Sequence, residues 1–312
     1  MLTKSIKGKT LGENMCYLRL QNFYHKFFAL KNRAFVSAKV LNERISTLIT
    51  GMLFMIFCVS FVSDVRATTS LASHKVNYTL SMGKSNQNAV IQDVRGTISF
   101  ALSAQCDGWS ITEDYLFQFL YESGEEITVF SHSDSWEDKN GHLYSFDVRE
   151  QNSYEPETIY TGFAMLHQER EVGEASYAGA YEETLDLSNE VLFPVKYTLA
   201  MIEAAQNGKR LMSKQLFVNS IPQDAVKTAS AVIGNKKLYN SDIQINGVTT
   251  THYWPVNIAY FKTDSTQATP EYQIRMDLHD NGVVSDFLIN YGDFSIHASI
   301  SDGSLIEIED CT

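Results

Sequence analysis

Cysteine is scarce in this 312-residue chain: Cys16, Cys58, Cys106 and Cys311 are the only four. No two of them form a Cys-x-x-Cys, which removes the usual redox and zinc signatures. No Gly-x-Gly-x-x-Gly leads into a helix, so Gly96, Gly108 and Gly162 read as strand kinks rather than phosphate cradles. No Gly-x-Ser-x-Gly elbow is present, and the histidines form neither His-x-x-x-His nor His-Glu-x-x-His. Basic residues are scarce as well once the N-terminal segment is set aside: beyond residue 67 there are 15 against 34 acidic ones, a net charge of −19. That balance argues against nucleic acid or an anionic lipid surface as partner and fits a solvated acidic surface.

The N-terminal segment has the opposite character. Its first 46 residues carry nine Lys and Arg against Glu13 and Glu43. An apolar run of 18 residues follows from Ile45 to Val62, then Ser63-Asp64-Val65-Arg66-Ala67. A basic flank, an apolar core and Val65 and Ala67 at the −3 and −1 positions describe a secretory signal over residues 1–67, cleaved after about Ala67. The competing reading is a retained anchor, because such a run approaches the length that spans a bilayer. Phe57 before Cys58 does not suit a lipoprotein signal. Export to the periplasm and one domain over residues 68–312 are the expectation.

Removal of that segment takes Cys16 and Cys58 with it and leaves Cys106, in Cys106-Asp107-Gly108-Trp109, with Cys311. An oxidising compartment makes a bridge between them reasonable. It would close a loop of 205 residues, for which the chain-entropy estimate is ~5 kcal/mol. The alternative, a reactive thiol, lacks any local basic setting in the sequence.

From Lys75 onward the pattern is period-two alternation broken by turn residues, the mark of antiparallel strands. Val76, Tyr78, Leu80 and Met82 alternate with polar residues, and Tyr115, Phe117 and Phe119 share one apolar face. Asp138-Lys-Asn-Gly141 and Asp280-Asn-Gly282 read as hairpin turns, and Ser301-Asp-Gly-Ser304 as a further turn. One segment differs. Pro194 is placed to open a helix and Gly208 to end it, with Tyr197, Met201 and Ala204 or Ala205 on one face, which predicts a single amphipathic helix over 194–206. Residues 222–250 read as a loop-rich crossover.

Cys106-Asp-Gly-Trp109, Leu192-Phe-Pro194, Ile202-Glu-Ala-Ala-Gln-Asn-Gly208, Pro270-Glu-Tyr272, Asp280-Asn-Gly282 and Asn290-Tyr-Gly-Asp-Phe294, in this order, resemble the EipB-like cell-envelope integrity proteins of alphaproteobacteria. The resemblance covers the chain after the export segment. It departs after Phe193-Pro194, where Val195-Lys196-Tyr197 stand in place of a stretch with Thr and His. It implies a mainly β protein, a long antiparallel sheet wound as a β-spiral or half-barrel similar to lipoprotein carrier folds. It also implies a periplasmic location, a Cys106–Cys311 disulfide, a role in envelope integrity and a tetratricopeptide-repeat protein as partner. It brings no enzymatic activity and no cofactor.

Ser131-His132-Ser133-Asp134-Ser135 holds the ingredients of nucleophilic catalysis, but neighbours on one strand do not converge as a triad does. A hydrolase is therefore the weakest of three readings. The first is a non-enzymatic periplasmic protein that binds a partner protein or an apolar ligand, and the second a carrier of lipid or lipoprotein cargo. Trp109, Trp136 and Trp254 are the candidate ligand-lining residues, against a plain role in core packing. No metal site is expected.

Overall fold

The structure, a computed structural model, describes residues 70–87, 89–167, 172–239, 250–263, 268–308 and 311. The expected signal segment, with Cys16 and Cys58, lies outside the described residues.

The described strands are His74–Ser85 (β1), Ile91–Ala104 (β2), Gly108–Tyr121 (β3), Glu126–Asp138 (β4), Leu143–Asn152 (β5), Thr158–Met165 (β6), Val172–Gly179 (β7) and Thr184–Ser188 (β8). The helix Pro194–Gln206 (α1) follows, then Leu211–Phe217 (β9), Val226–Ile233 (β10), Lys237–Leu238 (β11), His252–Lys262 (β12), Tyr272–His279 (β13), Val284–Asn290 (β14) and Phe294–Leu305 (β15). All pair in one antiparallel sheet in the order β8-β7-β6-β5-β4-β3-β2-β1-β15-β14-β13-β12-β10-β9, with β11 on β12. Two meanders are thus joined by the pairing of the first strand with the last, from His74 opposite Leu305 to Ser85 opposite Phe294.

This order has a geometric consequence. The two edge strands, β8 and β9, are neighbours in sequence, separated only by residues 189–210. A 13-residue helix is only about 20 Å long. The sheet must therefore curl until its edges come within reach of α1, in the direction that strand twist favours. Leu192, in the segment between β8 and α1, makes an isolated parallel bridge to Leu216 of β9. The sheet is wound on itself and not closed, as expected from the sequence.

Alternation decides what faces inward. Val76, Tyr78 and Leu80 are buried on β1, and Tyr144, Phe146 and Val148 on β5. Tyr115, Phe117 and Phe119 stack in a row along β3, with ring centroids 6.1 and 5.7 Å apart. Gly96 on β2 lies opposite Phe117, and a Cβ there would run into the Leu116 carbonyl, so the close approach of β2 and β3 needs glycine.

The helix begins and ends where Pro194 and Gly208 place it. Its C-terminus is a Schellman motif: Gly208 N–H donates to Ala205 O, Lys209 N–H donates to Ala204 O, and Gly208 has φ +70°. Val195, Tyr197, Met201, Ile202, Ala204 and Ala205 are buried against Leu216, Ala229, Ala231, Val256 and Ile258.

Two sequence expectations are corrected. Ser301-Asp-Gly-Ser304 is not a turn, because β15 runs through it with Ser301 as an extra residue between the Asp302–Asn77 and Ile300–Tyr78 pairs. The bulge absorbs the turn-forming residues, and Ser301 Oγ donates to Asn77 O at 3.1 Å. Residues 222–239 are not only a crossover, since they contain β10 and β11, while 240–249 lie outside the described residues. The inward residues of β10 include Ala229 and Ala231, small enough to lie under α1 and therefore weak as a strand signal.

Candidate functional site

Between α1 and the concave face of the sheet lies a cavity of about 420 Å³, within the range of small-molecule sites. Its walls come from β1, β2 and β3 on one side, β12, β13 and β14 on the other, and α1 across the top. Hydrocarbon and aromatic side chains dominate, among them Ile98, Phe100, Met201, Ile258, Ile274 and Phe287. Tyrosines are unusually frequent. Tyr78, Tyr115, Tyr144, Tyr197, Tyr260 and Tyr272 all reach it, and the Tyr260 and Tyr272 rings stack at 4.6 Å.

The polar groups in this wall are few and can be followed individually. Glu113 takes an inward position on β3 between Ile111 and Tyr115. Its Oε1 accepts the Tyr115 hydroxyl at 2.8 Å and its Oε2 the Ser133 hydroxyl, across the strand pair, at 3.3 Å. Burial pushes the Glu113 carboxyl above its usual range, against the pull of those two hydroxyls. His74, fully buried, donates Nδ1–H to Ala72 O at 2.7 Å, and burial lowers its pKa, so the ring is held neutral with Nε2 as its acceptor nitrogen. Tyr78 donates its hydroxyl to Val284 O at 2.7 Å. Tyr197 differs: its hydroxyl is buried and has no hydrogen-bond partner among the described residues. Among the described residues no lysine, arginine or aspartate lines the cavity.

None of the three tryptophans lines it. Trp254 on β12 shares the inward face with Ile258 and Tyr260 but is packed into the core beside Ile233 and Leu278, with Lys236 Nζ 5.2 Å from its ring centre. Trp109 packs against that same core. Trp136 alternates with the buried Ser135 and Glu137 and lies against Gly108. Tyrosine and Glu113 occupy the positions that the sequence reading gave to tryptophan. The signal that could have found Glu113 is an acid at an inward position of a strongly apolar strand.

Alternation also separates the Ser131–Ser135 segment. Ser133 and Ser135 are buried, whereas His132 and Asp134 lie on the outer face. There, His132 Nδ1 meets Asp114 Oδ1 at 2.7 Å, Nε2 meets Asp134 Oδ2 at 3.1 Å, and the Thr112 hydroxyl donates to Asp134 at 2.7 Å. The hydrogen bond to Asp114 raises the His132 pKa. The result is a histidine clamped between two carboxylates with its serine neighbours turned away, so this segment does not assemble a triad. Among the described residues no cluster of His, Cys, Asp and Glu could hold a metal ion.

Cys106 and Cys311 form a disulfide with a Cα–Cα distance of 5.4 Å. Cys106 sits in the tight turn from β2 to β3, where Gln105 N–H donates to Gly108 O, and Cys311 lies beyond the end of β15. Both are exposed, and their pairing suits a clasp.

Comparison with known proteins converges on one group. A family model described as EipB-like matches residues 65–306. The cell envelope integrity protein EipB of Brucella abortus (strain 2308) is 24% identical over 242 residues, which cover 76% of this chain and 85% of that protein. A crystal structure of a beta-barrel-like protein of a domain of unknown function, also from Brucella abortus, superposes with a TM-score of 0.70 at 23% identity, covering 76% of this chain and 99% of that one. With the matched span taking in every described strand of the wound sheet and its helix, the chain belongs to the EipB-like family.

Proposed function

We propose that this chain is a non-enzymatic periplasmic protein that holds an apolar ligand between α1 and the wound sheet and thereby supports the integrity of the cell envelope. The observation that carries the reading is the cavity itself: about 420 Å³, partly open to solvent and lined mainly by hydrocarbon and tyrosine side chains. Apolar surface of that extent left against water is costly unless a ligand covers it. The name of the Brucella relative, a cell envelope integrity protein, supports the physiological side. Export rests on the basic and apolar N-terminal segment.

The test uses the chain secreted to the periplasm and purified without detergent. Solvent extraction followed by mass spectrometry identifies what co-purifies, and N-phenyl-1-naphthylamine, a neutral apolar dye, reports on the cavity by its fluorescence. Saturable dye binding is expected, abolished by filling the space with Thr198→Trp on α1. Binding that ignores that substitution argues against the site.

A second reading, a carrier that passes lipid or lipoprotein cargo on, is favoured by the open sheet, whose end strands β8 and β9 are not paired with each other. Transfer of a labelled acyl cargo between two vesicle populations separates a carrier from a static binder. A tetratricopeptide-repeat partner, the remaining expectation from the resemblance, is tested by crosslinking in the periplasm.

A further inference from the structure

The polar groups of the cavity go further than its apolar lining, because they constrain the charge of whatever enters. Among the described residues Glu113 is the only carboxylate in the wall, and no lysine or arginine lines it. His74 is disfavoured as a cation by the burial of its ring, which is 1% exposed. An anionic headgroup drawn into this space would lose its hydration and meet Glu113 with nothing to neutralise it. The acidic surface of residues 68–312 works in the same direction. An uncharged end that can donate a hydrogen bond meets the opposite situation. Glu113 has two carboxyl oxygens, each engaged by a single hydroxyl and able to accept another. The Tyr197 hydroxyl, buried and without a partner among the described residues, is a donor in search of an acceptor, and an ester or amide carbonyl supplies one.

We propose that the cavity selects a single-chain acyl ester or acyl amide with an uncharged hydroxyl or amide end, Glu113 accepting from that end and Tyr197 donating to the acyl carbonyl. The inference rests on the reading of the cavity as an apolar site and adds the headgroup chemistry. It separates acylglycerol-like and acylamide ligands from free fatty acids and phospholipids, which share the chain and differ in charge.

Displacement of bound N-phenyl-1-naphthylamine tests it with four ligands of one chain length: 1-lauroylglycerol, N-lauroylethanolamine, laurate and 1-lauroyl-lysophosphatidylglycerol. The two neutral ligands should displace the dye at concentrations at least about tenfold below those of the two anions at pH 7.5. Glu113→Lys should reverse that order, because it places a cation where the carboxyl stood. Should that variant fail to fold, Tyr197→Phe serves independently. It removes a hydroxyl that has no partner among the described residues, so its melting temperature should match or exceed that of the wild type, while both neutral ligands weaken several-fold and the dye does not. Equal displacement by laurate and lauroylglycerol in the wild-type protein overturns the proposal and leaves the apolar site standing. Failure of the dye itself to bind overturns both.

Discussion

The Glu137 carboxylate on β4 accepts the backbone N–H of Val195 at 2.7 Å, and through its other oxygen that of Lys196 at 2.8 Å. Phe193, at the N-cap position of α1, offers no side-chain cap, so the first turn of the helix takes its acceptor from a strand 58 residues earlier. The helix that roofs the cavity is thereby pinned to the sheet by a buried acid.

Glu137→Gln should show how much that pin contributes. An amide keeps the shape but offers one acceptor to two donors, at a cost of about 1–3 kcal/mol. The penalty should depend on pH. Burial outweighs the two amide hydrogen bonds and pushes the Glu137 carboxyl up to about 7. An acid raised in the folded state contributes stability that is fully present below its unfolded value near 4.5 and is lost as pH rises through 7. Urea titrations at pH 4.5 and 8 should therefore find the difference between wild type and Glu137→Gln larger at the lower pH. A difference that grows with pH would mean that the helix end holds the carboxylate ionised.

His279 should act in the opposite sense. It is fully buried, bonded through Nε2 to Ser285 Oγ at 2.9 Å and set edge-on to Tyr239 at 4.6 Å, and burial lowers its pKa to about 4. A base lowered in the folded state retains its contribution above its unfolded value near 6.5 and loses it as pH falls to 4, in all about 3 kcal/mol. His279→Gln should flatten the stability profile over that window. Persistence of the acid-side loss in the variant would assign it to another group.

What the sequence made legible follows from how local each signal is. The helix was readable to the residue because Pro194 and Gly208 punctuate it, and β1 and β3 because large apolar residues alternate along them. Strands β6 to β8 escaped. Segments such as Val172-Gly-Glu-Ala-Ser-Tyr-Ala-Gly179 have little intrinsic strand preference and are held by burial of Tyr160 and Tyr177 against Phe146. The β1–β15 pairing that joins the two meanders links residues more than 200 apart and leaves no local trace. The cavity was legible only in outline. Curvature could be expected, but that Glu113 and Tyr197, 84 residues apart, face one space is decided by the path of the chain from β8 over the concave face to β9.

The disulfide makes a prediction of its own kind. It joins the β2–β3 turn to the tail beyond β15 and so constrains mainly the unfolded chain. Cys311→Ser should lower thermal stability in oxidising buffer, by at most ~5 kcal/mol on the loop-closure estimate, and should match the wild type under reduction. Mass spectrometry of the protein purified without reductant should show the two-dalton loss that links Cys106 to Cys311. Equal melting of variant and wild type in oxidising buffer would remove the clasp from the stability argument.

Lys227 occupies an inward position of β10, its side chain only 7% exposed, and its Nζ donates to Asp224 at 2.8 Å and to Glu271, just before β13, at 2.6 Å. The two carboxylates are each more than a third exposed, so they can be hydrated without the lysine, whereas the ammonium has little access to water. Removing the cation should thus cost less than removing its partners. Lys227→Met, which retains the apolar stem, is expected to lose about 1 kcal/mol. The pair Asp224→Asn and Glu271→Gln strands the buried charge and should lose about 3 kcal/mol, a value reduced from the fully buried case because water reaches the partners. Adding Lys227→Met to that pair should recover most of the loss, giving a coupling energy that only a charge left without its counter-ions explains. If the triple variant is no more stable than the double, the three residues act through packing, and the ion cluster is incidental to how β10 is held beneath α1.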